Sequence, residues 1–276
     1  MEELKTGEVI GRRRRELGMT QSQLAQRLNI SFQAVSKWEN GTAYPDIAML
    51  PKLAAALHVT ADALLGYRSS VEADYDSRYE REGYYWGLKP NRMCYEMMQV
   101  LPPVKPYRVL DIGCGEGKDA VFLAKCGYQV TAFDLSEPGL DKAKRLAEHN
   151  QVQVNFFRGD ILDYRPEREY DVIFSSGVFH FLPLEVRGEF CASLKEHTAA
   201  GGLNALNVFV EKPFLRAQDA AEKARALWRS GELFGYYHDW LFHSCREEAF
   251  ACNSGGKPHR HCMDTVIAQK MEEEAE

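Results

Sequence analysis

The chain has 276 residues, of which 45% are hydrophobic and 27% charged, a balance typical of globular protein with one or two domains. Its formal net charge of -6 argues against a protein that coats nucleic acid along its whole length. Seven cysteines, an odd number with no CxxC pair, argue against a disulfide framework. The sequence has no apolar run near the ~18 residues of a membrane span and no signal peptide at its start, so we expect a cytoplasmic location and no membrane partner.

The first 66 residues have the pattern of a bundle of short helices. A capping box at residues 20–23 predicts the start of one helix, and Ser31 is placed to cap a second helix, Phe32–Glu39. Two helices of about eight residues joined by a tight turn are too short to be stable alone. We therefore expect flanking helices near residues 5–17, 46–58 and 60–65 to complete an all-α domain over residues 1–66.

Residues 19–25, 35–41 and 45–66 resemble the Cro/repressor helix-turn-helix family in their caps, spacing and apolar positions. The resemblance implies that helix 32–39 enters the major groove of DNA, and that two copies of the chain form a homodimer that reads a near-palindrome. The candidate DNA-contacting residues are Gln21, Ser31, Gln33, Ser36, Lys37 and Asn40. Gln33 can form hydrogen bonds with adenine, and Lys37 can reach guanine or a phosphate. The four arginines at 12–15 are further candidates for phosphate contact. A protein-docking module is the alternative.

The rest of the chain divides into a linker and a second domain. Residues 67–83 are polar and aperiodic, a pattern that predicts a linker. From Tyr84 onward, strand-like apolar runs alternate with helical patterns, which predicts an α/β domain over residues 84–276.

A glycine-rich turn lies near the start of this second domain. Residues 109–112 predict a buried strand, and Gly113, Gly115 and Gly117 follow it before an amphipathic helix. Glycines at such a turn let a cofactor approach the backbone closely. Asp111 lies two residues before the first glycine. Its carboxylate is unfavourable for the anionic pyrophosphate of a nicotinamide cofactor, but it suits S-adenosylmethionine, which carries an ammonium and a sulfonium.

Acidic residues also follow the next predicted strands. Asp134 ends the second strand, 23 residues after Asp111, close to the ~20-residue offset at which an acid meets a ribose diol. Gly159 and Asp160 follow the third strand, and residues 170–177 form the fourth. This order resembles the class I S-adenosylmethionine-dependent methyltransferases across residues 84–270. A nicotinamide- or nucleotide-binding fold is the alternative.

The resemblance implies a Rossmann-like fold with a seven-stranded mixed sheet whose last strand is antiparallel. It also implies that Asp111 lies near the methionine part of the cofactor, Asp134 on the ribose and Asp160 at the adenine. The residues expected to contact S-adenosylmethionine are Asp111, Gly113, Cys114, Gly115, Gly117, Asp134, Leu135, Asp160, Ile161 and Ser175.

Residues 127–134, 179–182 and 231–240 carry a narrower resemblance, to the tellurite-resistance methyltransferases. That family methylates tellurite and related soft chalcogen oxyanions, and its C-terminal hairpin usually places a His-Arg pair near the substrate. Here Phe250 and Ala251 stand where that pair is expected. From the resemblance to this family we expect a small soft nucleophile as the methyl acceptor, either a tellurite- or selenite-like oxyanion or a thiol.

The C-terminal hairpin carries reactive side chains of its own. By period two, His259 and His261 share one face of a strand, and Cys252 lies on the opposite strand. Such a group could bind a metal or a soft anion, with a polar edge strand as the alternative, and no metal ligand is assigned from the sequence. We expect His180, after the fourth strand, to border the acceptor pocket with both hairpin histidines as catalytic residues. One of the aromatic residues 85–86 is expected to close the pocket.

Two functions are consistent with these patterns. The first is an S-adenosylmethionine-dependent methyltransferase fused to a sequence-specific DNA-binding domain. The second is a transcriptional regulator whose methyltransferase domain only senses S-adenosylmethionine or a toxic ligand. A DNA methyltransferase is disfavoured, because residues 175–179 are Ser-Ser-Gly-Val-Phe where amino-methylating enzymes have Asn/Asp-Pro-Pro-aromatic.

Overall fold

The computed structural model describes residues 6–57, 59, 61–65, 75–215, 227–252 and 258–272. The chain divides into two units, Met1–Glu72 and Ala73–Glu276. None of the helices in these described stretches is long and apolar enough to cross a membrane.

The first unit is all-α, as predicted. Its helices are α1 (Thr6–Glu16), α2 (Gln21–Leu28), α3 (Phe32–Glu39), α4 (Leu50–Leu57) and α5 (Ala61–Leu64), with a 3₁₀ turn at Ile47–Met49. The predicted capping box starts α2, because the Thr20 hydroxyl accepts a hydrogen bond from the Gln23 N–H while Gln23 Oε1 accepts one from the Thr20 N–H. The Ser31 hydroxyl caps α3 by accepting a hydrogen bond from the Ala34 N–H. Both helices therefore start where the sequence places their caps.

Tertiary packing stabilises these short helices. The side chains of Ile10, Leu24, Val35, Leu53 and Leu57, drawn from four helices, are completely buried in one cluster. Burial of one such side chain contributes roughly 1.5–3 kcal/mol, more than the intrinsic propensity of any single residue. The prediction that the flanking helices complete a small core is confirmed.

A seven-stranded mixed sheet forms the centre of the second unit. Its strands are β1 (Arg108–Ile112), β2 (Gln129–Asp134), β3 (Val154–Arg158), β4 (Tyr170–Ser175), β5 (Thr198–Phe209), β6 (Leu241–Cys252) and β7 (His259–Gln269). The spatial order is β3-β2-β1-β4-β5-β7-β6. The first five strands are parallel, and β7 is antiparallel to both of its neighbours. The predicted Rossmann-like fold with an antiparallel last strand is confirmed.

Helices pack on both faces of this sheet. They are α7 (Arg92–Val100), α8 (Lys118–Lys125), α9 (Glu137–His149), α10 (Leu184–Glu196) and α11 (Glu232–Tyr236), besides the short α6 (Tyr75–Tyr79). Along β4, Val172 and Phe174 belong to one apolar cluster, with Met93 of α7, whereas Ile173 belongs to another, with Phe190 of α10. Because successive residues of a strand point to opposite faces, the central strands are buried on both sides.

Part of the predicted linker belongs to the second unit. Residues 75–79 form α6, and the Ser136 hydroxyl at the start of α9 donates a hydrogen bond to Asp76. The Lys142 ammonium donates to the backbone carbonyls of Arg81 and Gly83, at 2.7 and 2.5 Å. The linker assignment is therefore wrong for residues 75–83, because α9 supplies tertiary partners that the local polar composition does not reveal.

The carboxyl edge of the sheet brings several chain segments together. Parallel strands end at one edge, and loops after β1, β2, β3 and β4 emerge there. Because β7 runs the opposite way, its first residues lie at the same edge. Phe209, the last residue of β5, pairs with Met263, so His259 and His261 extend past the end of β5. In open α/β sheets, ligands bind outside this edge.

Candidate functional site

The loop after β1 depends on glycine. Gly113, Gly115 and Gly117 have φ values of +71°, +54° and +81°, in the left-handed region that favours glycine. A Cβ at Gly113 would also overlap the side chain of Val178, and one at Gly115 would lie 2.8 Å from the Tyr79 hydroxyl. The three predicted glycine positions therefore hold the loop backbone close to its neighbours.

Asp111 presents a buried carboxylate at the end of β1. Its side chain belongs to a residue only 2% exposed, and Oδ2 has no hydrogen-bond partner among the described residues. Burial raises the pKa of Asp111 well above its usual range, and the charges of Asp119 and Asp134 raise it further. A buried acid without a compensating partner is costly, and a bound cation lowers this cost. The position therefore fits a ligand with a positively charged group.

Asp134 connects the end of β2 to the glycine loop. Its Oδ2 accepts a hydrogen bond from the Gly115 N–H at 2.8 Å, and its Oδ1 accepts one from the Ser136 N–H at 2.9 Å. Burial raises the pKa of Asp134, while these backbone donors oppose the rise. Each carboxylate oxygen keeps a second lone pair, so the fixed carboxylate can also accept from ribose hydroxyls.

The adenine end of the predicted site lies at the ends of β2 and β3. Asp134 pairs with Arg158 in the sheet, which brings Leu135 beside the segment that contains Asp160 and Ile161. The Leu162 N–H donates to Asp160 Oδ1 at 3.0 Å, and Ile161 is buried. Together with the half-buried Cys114 of the glycine loop, these residues surround the carboxyl ends of β1 to β3.

Ser175 does not have the predicted role for its side chain. It is completely buried at the end of β4, and its hydroxyl donates to the Ile112 carbonyl at 2.9 Å. The hydroxyl therefore ties β4 to β1, and it is not available to a ligand. The residue type alone could not distinguish a strand-tethering serine from a cofactor contact.

Aromatic side chains cover the glycine loop. The Trp86 Nε1–H donates to the Tyr79 hydroxyl at 3.1 Å, and Tyr79 is buried against the loop. Tyr75, one turn earlier on α6, contacts Phe181 with ring centroids 6.1 Å apart. The group thus spans from the loop after β1 to the loop after β4. Sequence analysis missed α6, although the i, i+4 spacing of its two tyrosines is a helical signal.

A polar network fixes the loop after β4. The amide of Asn91 donates to the Ser176 hydroxyl at 2.8 Å, and the amide of Asn207 donates to the same hydroxyl at 3.3 Å. Asn207 Oδ1 accepts from the Gly177 N–H at 2.7 Å. Asn91 and Asn207 were not predicted as site residues, because nothing in the local sequence pairs them with Ser176.

The three histidines predicted as catalytic are connected through one ring. His180 is completely buried between Phe181 and Phe209, with ring centroids 4.2 and 4.9 Å apart. His261 lies on Phe209 at 4.7 Å. The Nε2 atoms of His259 and His261 are 2.8 Å apart. We call this row of side chains, from Phe181 to His259, the aromatic–imidazole strip.

The exposed face of α3 carries the predicted DNA contacts. Ser31, Gln33, Lys37 and Asn40 are exposed, and Ser36 is half-buried. Phe32, which the sequence analysis did not include, is 51% exposed at the start of the helix. An exposed phenyl ring beside these polar groups can contact the methyl group of thymine.

Two of the four arginines at 12–15 are not phosphate contacts. Arg13 and Arg14 are buried, and the Arg14 guanidinium forms a bidentate ion pair with Glu39, at 2.5 and 2.9 Å. Gln21 donates its amide to the same carboxylate at 2.9 Å, so its predicted role as a phosphate clamp competes with a structural one. The correction follows from tertiary packing, because both arginines are buried and Arg14 pairs with Glu39 of α3.

Two family models match the chain. Residues 10–64 match a model described as Helix-turn-helix, and residues 109–202 match one described as Methyltransferase domain. These ranges contain α3 and the glycine loop, respectively.

Proteins similar to this chain include a probable methyltransferase. Over 180 residues the chain is 29% identical to Hemagglutinin 1 of Eikenella corrodens, and over 177 residues it is 28% identical to the probable S-adenosyl-L-methionine-dependent methyltransferase TehB of Haemophilus influenzae. These matches cover 62% and 60% of this chain, but only 57% and 58% of the two relatives. The crystal structure of TehB from Haemophilus influenzae superposes with a TM-score of 0.59 and 24% identity, covering 72% of this chain and 67% of that one. The chain therefore joins a region that matches the helix-turn-helix model to a region that matches the methyltransferase-domain model and is similar to TehB.

Proposed function

We propose that the chain transfers a methyl group from S-adenosylmethionine to a small soft nucleophile, either a tellurite- or selenite-like oxyanion or a thiol. The observation that carries this proposal is the aromatic–imidazole strip at the carboxyl edge of the sheet. Its polarisable rings suit a compact, polarisable acceptor. Attack of such a nucleophile on a sulfonium needs little acid–base catalysis. Most of the rate enhancement therefore comes from holding the nucleophile in line with the sulfur–methyl bond.

Two acids at the carboxyl ends of β1 and β2 support S-adenosylmethionine as the ligand. When bound, this cofactor supplies an electrophilic methyl group on a cationic sulfur. The buried Asp111 carboxylate suits the charged methionine end, and Asp134, held by Gly115 and Ser136, suits the ribose hydroxyls. The buried Tyr79 packs against Gly115 of the loop, and Trp86 holds the Tyr79 hydroxyl by a hydrogen bond.

The histidines of the strip supply the ionisable groups on the acceptor side. An imidazole ring has both an N–H donor and a lone-pair acceptor, so it can donate a hydrogen bond to an oxyanion or accept one from a thiol. Phe250, which stands where the related family is expected to have part of a His-Arg pair, contacts His261 with centroids 5.8 Å apart. A phenyl ring in place of a cation favours a thiol over an anionic acceptor.

The acceptor is testable by a direct comparison. Purified full-length chain is incubated with radiolabelled S-adenosylmethionine and, separately, tellurite, selenite and small thiols. Turnover with any of these acceptors above an alcohol and amine control supports the proposal. Binding of S-adenosylmethionine without turnover on the whole panel favours the second candidate, in which the domain only senses its ligand.

We also propose that the first unit binds DNA as part of a homodimer. The exposed Gln33 and Lys37 on α3 support base and phosphate contact, and one such domain gives only a few base contacts. Two copies of the domain, each bound to one half-site, supply the remaining base contacts that a sequence-specific complex needs. Selection of bound duplexes by the full chain tests this, and the recovered sites should be near-palindromes.

A further inference from the structure

A thiol and two imidazoles meet at the end of the β6–β7 hairpin. In the antiparallel pairing Cys252 lies opposite His259, and Phe250 lies opposite His261. Directly paired residues of two strands project on the same face, and so do residues two apart on one strand. Cys252, His259 and His261 therefore share one face, past the end of β5.

The three side chains are close enough to share an ion. One ligand atom from each lies within 4.8 Å of those from the other two. The two imidazole Nε2 atoms are 2.8 Å apart, within hydrogen-bond distance of each other. A tetrahedral zinc ion with Zn–N bonds of about 2.0–2.1 Å separates two nitrogen ligands by about 3.3 Å. The rings need to move apart by about half an ångström, which side-chain rotation on one strand can supply.

The donor set selects the class of metal. Thiolate and imidazole ligands suit zinc and its neighbours among the transition metals, whereas magnesium and calcium require oxygen ligands. His261 is buried and Cys252 and His259 are half-buried, so an ion can enter and still be shielded from bulk water. The rings of Phe209 and Phe250 lie against His261 at 4.7 and 5.8 Å. This apolar surrounding strengthens the attraction between a thiolate and a cation.

We propose that Cys252, His259 and His261 form a binding site for Zn²⁺, with at least one coordination position left for water or a soft anion. Three protein ligands and an open position are the arrangement found in zinc sites that bind exogenous ligands. Two of these ligands, His259 and His261, also belong to the aromatic–imidazole strip, but zinc binding does not require S-adenosylmethionine, because neither the glycine loop nor Asp111 takes part in it.

Cobalt substitution tests the site in the full-length, untagged, reduced chain. Co²⁺ should bind with one equivalent at this site and give a near-ultraviolet thiolate-to-cobalt charge-transfer band, which Zn²⁺ then removes. Cys252→Ser should abolish the band. His259→Gln or His261→Gln should weaken Zn²⁺ binding by at least about tenfold, since loss even of an outer partner of a metal ligand costs 10–100-fold.

Matched controls come from the same strand. Cys245→Ser and His243→Gln alter an exposed thiol and an exposed imidazole of β6, and both should keep the band and the zinc affinity. Circular dichroism establishes that each variant is folded, and Zn²⁺ should raise the melting temperature of the wild type but not of His261→Gln. Absence of the band in the wild type, or its persistence in Cys252→Ser, would overturn the proposal.

Discussion

The Asp134 carboxylate accepts a hydrogen bond from the Gly115 N–H at 2.8 Å, which joins the end of β2 to the glycine loop after β1. This contact holds the Asp134 carboxylate beside the loop that we propose binds the cofactor. A preformed carboxylate can therefore be matched to a ribose diol without reorganisation.

Replacing Asp134 with alanine should weaken S-adenosylmethionine binding by roughly 1.5–3 kcal/mol, the scale of a lost hydrogen bond to a charged group. Titration calorimetry on wild type and variant measures the difference. Asp141→Asn is the matched control, because Asp141 is an exposed acid on α9. The Asp141→Asn variant should bind S-adenosylmethionine with the affinity of the wild type. Equal affinity in Asp134→Ala would remove Asp134 from the cofactor site.

Cofactor affinity should depend on pH through Asp111. Because burial raises its pKa in the free protein, lowering the pH protonates it, whereas a cationic ligand favours the ionised form. Binding should therefore release a proton, and affinity should rise with pH until Asp111 is ionised without ligand. Calorimetry in two buffers of different ionisation enthalpy measures the proton release. Asp111→Asn should bind more weakly and lose this proton release; an unchanged release would assign it to another group.

The cofactor loop could be predicted because its signals are local. The glycines at 113, 115 and 117 and the acids at the ends of β1 and β2 are fixed by backbone conformation and strand position. The caps of α2 and α3 are local for the same reason. In each case the interacting residues lie a few positions apart in the chain, or the residue stands at the end of a strand whose place is fixed by the fold.

The missed contacts depend on residues far apart in the chain. Arg14 and Glu39 are 25 residues apart, and Asn91 and Ser176 are 85 apart. An arginine on a predicted helix has the same sequence pattern whether it faces solvent or a buried carboxylate. Similarly, α6 is polar in composition and depends on partners such as Ser136 on α9. Tertiary structure decides these roles, so a single sequence does not determine them.

The α3 surface should give two distinguishable variants. Replacing Gln33 or Lys37 with alanine should relax base preference by about 1–3 kcal/mol at one position of each half-site. If Lys37 instead contacts phosphate, binding should weaken on all sequences alike and the salt dependence should become shallower. Competition binding with single-base variants of the selected site, at several salt concentrations, measures both. The exposed Arg27→Ala on α2 serves as a comparison outside this helix, and unchanged preference in Gln33→Ala would exclude base contact by Gln33.

Arg14→Ala should destabilise the first unit instead of altering its DNA contacts directly. The substitution leaves the part-buried Glu39 carboxylate without its guanidinium, and the loss of these charged hydrogen bonds should cost about 1.5–3 kcal/mol. Hydrogen exchange of peptides from α1 and α3 measures the loss, because it reports each unit separately. Peptides from the sheet of the second unit provide the internal reference and should not change. Wild-type protection in α1 and α3 would show that the ion pair contributes little to stability.

The hairpin histidines should affect turnover without affecting cofactor affinity. His259 and His261 lie at the carboxyl edge beyond β5, where His261 contacts Phe209, whereas the proposed cofactor contacts follow β1 to β3. His259→Ala and His261→Ala should therefore lower kcat with the best acceptor while the Kd for S-adenosylmethionine stays close to that of the wild type. His243→Ala, an exposed histidine of β6, should change neither quantity. Assays in the presence and absence of a metal chelator separate a direct role of the imidazoles from one through a bound ion. Wild-type turnover in both variants would leave the hairpin as a polar sheet edge.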